Sequence, residues 1–78
     1  MANFEEFYSP QQVCEFLKNE IPTISGDILD KIIAHKIDGE VFLEIDDEYL
    51  REIAPLVGDR VKMKRAIRTA VNLTTRVS

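Results

Sequence analysis

Four basic residues fall within six positions of the segment VGDRVKMKRAI, residues 57–67: Arg60, Lys62, Lys64 and Arg65, just after Gly58 and Asp59. A glycine ahead of Lys and Arg can cradle a phosphate, grip a nucleic acid, or open a helix that faces an acidic protein. A phosphate loop requires G-x-x-x-x-G-K-[ST], and here a single glycine precedes the basic run. Upstream lies the opposite charge, in Asp38, Glu40, Glu44, Asp46, Asp47 and Glu48. These acids do not follow the D-x-D-x-D-G spacing of a calcium loop with its closing Glu. They suit helix caps and solvated helix ends as well as an interface. Asp38 and Glu40 as an acid pair would sit in a turn with no recognisable cleft. His35, the sole histidine, falls near the end of a predicted helix, where it suits the helix dipole better than a role as a base. Ser9, Ser25 and Cys14 have no neighbouring histidine with a triad-like partner. Cys14 is the only cysteine, so the chain has neither an internal disulfide nor a cysteine cluster for zinc. The residues therefore predict no enzyme, no metal and no cofactor.

The charge divides along the chain. Residues 1–48 carry twelve acids against three bases, −9, and residues 49–78 carry two against seven, +5, which together make the net −4. On so small a surface this split predicts two poles of opposite sign, which attract copies or relatives of the same domain. The plainer reading is charge that solvates helices.

Helices must position these groups. In YSPQQVCEFLKNE, Ser9 suits an N-cap, Pro10 the first helical position, and Gln12 completes a capping box. Val13, Phe16 and Leu17 follow at i, i+3, i+4, with Cys14 beside them. In SGDILDKIIAHK, Ser25 or Asp27 caps a second helix whose buried face is Ile28, Leu29, Ile32 and Ile33. Asp38-Gly39 predicts a tight bend before a short, mostly buried helix bearing Val41, Phe42, Leu43 and Ile45. Asp46 caps a fourth helix, with Leu50 and Ile53 inward and Pro55 after it. A last helix begins at Gly58-Asp59 and runs toward Thr74, with Met63, Ile67, Ala70 and Val71 inside. The predicted spans are 9–20, 25–36, 39–44, 46–54 and 58–74. The expected core is Val13, Phe16, Leu17, Ile28, Ile32, Ile37, Phe42, Leu43, Ile45, Leu50, Ile53 and Ile67.

Seventy-eight residues with no predicted strand give one compact all-α, five-helix domain, expected over 8–75, with an extension at 1–7 and a tail at 76–78. The chain reads as a domain cut from a longer protein. No apolar run is long enough to span a membrane, and no signal segment opens the chain. With a lone cysteine, these features suggest an intracellular, reducing setting, cytoplasm or nucleus.

The joint order of YSPQQVCEFL, KIDGEVFLEIDDEYLREI and VGDRVKMKRAI resembles the sterile alpha motif (SAM) domain over roughly residues 8–71. Tyr8 and Phe16 stand where that family often has Trp, and Ile28 and Ile32 where it often has aromatics. The link IAPLVG is shorter than usual and holds Pro55, and Lys64 replaces a common apolar residue. The resemblance implies a protein-interaction module that pairs head to tail with another SAM domain, itself or a relative. Carried over by position, the end-helix surface would be Gly58, Asp59, Arg60, Val61, Lys62 and Arg65. The acidic mid-loop surface would be Asp38, Glu40, Glu44, Asp46, Asp47 and Glu48. The resemblance also carries an alternative, because some members grip an RNA hairpin through the last helix, here Arg60, Lys62, Lys64, Arg65 and Arg68. Against nucleic acid stand the isoelectric point near 4.9 and the −9 of the first 48 residues. A contact with a lipid surface through the same cations is a lesser alternative.

Overall fold

The computed structural model describes residues 8–75. Five helices follow one another: α1 Pro10–Glu20, α2 Gly26–Ala34, α3 Gly39–Glu44, α4 Asp47–Ile53 and α5 Val57–Thr75. Four begin on an oxygen-bearing cap, as their sequences require. Ser9 makes the full capping box with Gln12, Pro10 occupying the first turn, and Ser25 rather than Asp27 caps α2. The Asp38 and Asp46 carboxylates accept from the N–H groups of Val41 and Tyr49, both at 3.0 Å. α5 differs, because its first intrahelical bond runs from the Arg60 N–H to the carbonyl of Leu56, which has no side-chain oxygen to offer. The helix starts ahead of Gly58, so that glycine lies inside the first turn.

α1 packs on α2, α3 and α5; α3 also meets α5, and α2 meets α4. Phe42 is the largest fully buried side chain and stands edge-on to Phe16, with ring centroids 6.2 Å apart. Around it lie Val13, Leu17, Ile28, Ile32, Ile37, Leu50, Ile53 and Met63, all buried. Cys14 is buried as well, its Sγ 3.5 Å from the Leu29 carbonyl oxygen.

Several sequence expectations about depth change. Phe16, Leu43, Ile45 and Ile67 are half-buried at the margin of the core. Ile33, Val41 and Val71 lie on the solvent side. Ile21, Ala54 and Ala66 join the core instead. Isoleucine at 21 follows the α1 stripe by one turn after Leu17. Ala66 and Ala70 are small enough for α5 to lie closely on its neighbours.

The expected bend at Asp38-Gly39 is displaced. Asp38 is the extended N-cap and Gly39 the first helical residue, its N–H donating to the Tyr8 carbonyl at 2.9 Å. The chain reverses at Lys36, the one non-glycine residue with positive φ (54°) among those described. Its N–H and that of Ile37 cap the end of α2, on the carbonyls of Ile33 and Ile32. The sequence extension 1–7 and the tail 76–78 lie outside the described residues.

Candidate docking surfaces

Two surfaces hold part of the residues that the sequence singles out, together with apolar neighbours. The first is a groove of about 480 Å³ between α3 and α4, ending at the C-terminus of α2. Its apolar wall is made by Ile37, Val41, Ile45, Tyr49 and Ile53. Glu40, Glu44 and Glu52 stand along it, with His35 at one end. Helix spacing explains the arrangement. α3 is under two turns long, so turning Phe42 inward leaves Glu40, Val41 and Glu44 facing out. Tyr49 precedes the buried Leu50 and so sits beside the inner stripe of α4, 61% exposed. Lys31 of α2 fixes the far end of α4, its Nζ 3.1 Å from the Glu52 carbonyl oxygen.

The six acids of the predicted mid-loop surface do not share one condition. Glu40 and Glu44 line the groove. Asp38 and Asp46 are helix caps, each with an oxygen committed to a backbone N–H. Asp47 pairs with Lys64 of α5, Oδ1 to Nζ 3.0 Å, both largely exposed. Glu48 is exposed outside the groove. The side chains of Glu40, Glu44, Glu48 and Glu52 have no hydrogen bond or ion pair among the described residues. Glu52 and Tyr49 have no place in the sequence reading, and Val41, expected in a mostly buried helix, is exposed here. An aromatic residue next to an inward leucine, within an acidic run, was the available signal.

The second surface is the start of α5. Leu56, Val57 and Val61 are 68%, 66% and 51% exposed, an apolar tip absent from the charge-based reading except for Val61. Around it are Gly58, Lys62 and Arg65, exposed, and Asp59 and Arg60, half-buried. A Cβ on Gly58 would meet nothing within 4 Å, so this backbone is open to an approaching surface. The first-turn N–H groups add partial positive charge to the cations. The basic residues divide between two flanks: Lys64 leans to Asp47 on α4, while Lys62 and Arg65 border the link between α1 and α2.

No helix among the described residues is long and apolar enough to cross a membrane. Neither a curated protein nor a solved structure matches the chain. A family model does, that of a SAM-like domain, across residues 2–69. Such domains typically serve as protein-interaction modules rather than catalysts. With most of its length matched, five helices in the expected order and no strand among the described residues, the chain belongs to the family of SAM-like domains.

Proposed function

We propose that the domain associates with another SAM domain, its own copy or a relative, by seating the start of α5 of one molecule in the α3–α4 groove of the next. The observation that carries this reading is the match between the two surfaces. An exposed apolar tip, Leu56, Val57 and Val61, lies among Arg60, Lys62 and Arg65. An open apolar groove is edged by Glu40, Glu44 and Glu52. A desolvated apolar centre with a charged rim supplies both affinity and steering. Asp38, Asp46, Asp47 and Glu48 lie outside the groove lining, and of these Asp47 is already paired with Lys64. The two surfaces are different patches, so pairing between identical copies is heterologous and builds open chains.

Sedimentation of paired variants tests the reading. Val61→Glu places a carboxylate in the tip, and Glu44→Arg reverses the groove; neither position is core. The wild type should grow with concentration, each variant should stay monomeric, and their mixture should form a dimer through the one intact pair of surfaces. Salt should weaken that dimer. Gly58→Ala should raise stability, by about 0.5–1 kcal/mol, yet weaken association, since the new methyl fills the open approach. A mixture that remains monomeric refutes self-pairing. A Val61→Glu chain that binds a SAM partner as the wild type does refutes the tip altogether.

A further inference from the structure

Lys62 and Arg65 share a cleft of about 160 Å³ with Thr23 and Glu20, backed by Ile21 and Ala66. Neither basic side chain makes an ion pair with a described residue, although Glu20 borders the same space. Thr23 is exposed and its hydroxyl makes no hydrogen bond among the described residues. The next hydroxyl along, that of Ser25, is occupied in accepting from the Ile28 N–H to cap α2. Thr23 lies outside any helix, in a turn closed by the Ile24 N–H on the Ile21 carbonyl at 2.9 Å. It can therefore be drawn into a modifying enzyme without unwinding a helix.

We infer that Thr23 is a phosphorylation site whose phosphate is clamped by Lys62 and Arg65, and that the modification switches off the start of α5 as a docking surface. The second half rests on the docking reading above. In the transfer, Thr23 Oγ1 bonds to the γ-phosphorus of a nucleoside triphosphate. The bond to the departing nucleoside diphosphate breaks, and the hydroxyl proton passes to the kinase base. The product brings a charge of about −1.5 to −2 into a cleft where two cations face one carboxylate. Arg65 can take the phosphate oxygens through two N–H groups, and Lys62 adds a point charge. Glu20 opposes the phosphate, but both cations are free to turn toward it. Occupied in this way, Lys62 and Arg65 leave Arg60 as the remaining cation of the tip, and the cleft becomes net negative. A groove edged by glutamates then meets like charge.

The clamp is measured apart from association. Phosphothreonine is installed at position 23 during translation, and its phosphate is titrated by ³¹P NMR. The second ionisation should fall below its ordinary value of about 6 and return toward it in the Lys62→Ala, Arg65→Ala chain. An ordinary ionisation, indifferent to those substitutions, overturns the clamp whether or not the domains pair. The phosphorylated chain is then offered to the groove of the Val61→Glu chain, where binding should fall at least about tenfold, while Thr23→Val leaves it unchanged. Undiminished binding overturns the switch. Incubation of the chain with extract from its own cells and ATP, followed by mapping of the modified residues, completes the test. Phosphate on Thr23 supports the site, and phosphate confined to other hydroxyls overturns it.

Discussion

Phe42 and Leu43 are neighbours in α3, equally apolar, and the structure gives them very different weight. Phe42 is fully buried at the junction of α1, α3 and α5, edge-on to Phe16. Truncation to alanine removes that contact and leaves a cavity that the surrounding helices cannot fill, for a cost of about 3–5 kcal/mol. A domain of 78 residues holds roughly 4–12 kcal/mol in total, at about 0.05–0.15 per residue. Phe42→Ala should therefore remove between about a quarter and all of the chain's stability. Leu43, expected as core from the sequence, is only half-buried. Its truncation opens toward solvent rather than making a closed void, so the loss is about 1 kcal/mol, part of the transfer term of a buried leucine. At about 4–8 °C per kcal/mol for a domain of this size, Leu43→Ala should lower the melting midpoint by about 4–8 °C. Thermal and urea unfolding followed by circular dichroism compares the two directly. Equal losses for both variants, or a Phe42→Ala chain as stable as the wild type, would refute the burial argument.

Ser9→Ala removes half of the capping box on α1 and should cost about 1 kcal/mol, read as a lower urea midpoint at unchanged slope. Cys14 should react slowly with thiol reagents, since burial pushes its ionisation above the usual 9.0, Glu15 and Asp30 adding to the shift and Lys18 opposing it. Because the folded chain holds the thiol proton more tightly than the unfolded one, the Cys14 contribution to stability should be level below about pH 9 and decline above it, and Cys14→Ala should flatten that decline.

Much of the fold was legible because its determinants are local. Ser9, Ser25 and Asp46 each sit one residue before a helix and bond to an N–H three residues on, a relation fixed by sequence spacing alone, whereas Asp38, which caps α3 in the same way, reads in the sequence as a bend. Depth was less legible. In Val41-Phe42-Leu43 the apolar run is continuous, and six residues of helix are too few to display a period. Which member points inward depends on where α1 and α5 lie. The same holds for Ile33 and for the tip, where Leu56 and Val57 read as part of the link IAPLVG and the resemblance alone put Val61 on a surface, whereas all three are exposed.

The charge division was correct as a count, but its parts are unequal once placed. Asp38 and Asp46 spend an oxygen on helix starts, and Asp47 meets Lys64, seventeen residues away and invisible to any local pattern. An exposed pair of that kind is worth about 0–1 kcal/mol to the fold, yet it takes one charge from each pole. Of the acids on α3 and α4, Glu40, Glu44, Glu48 and Glu52 have no side-chain partner among the described residues, and three of these border the apolar groove. On this ground the reversal of charge belongs at Glu44. A change at Asp46 would remove a cap, and a change at Asp47 would release Lys64, so either could abolish pairing by disturbing the fold's own contacts. Glu44→Arg alters the groove without breaking any bond found among the described residues, and loss of association there would report on docking itself.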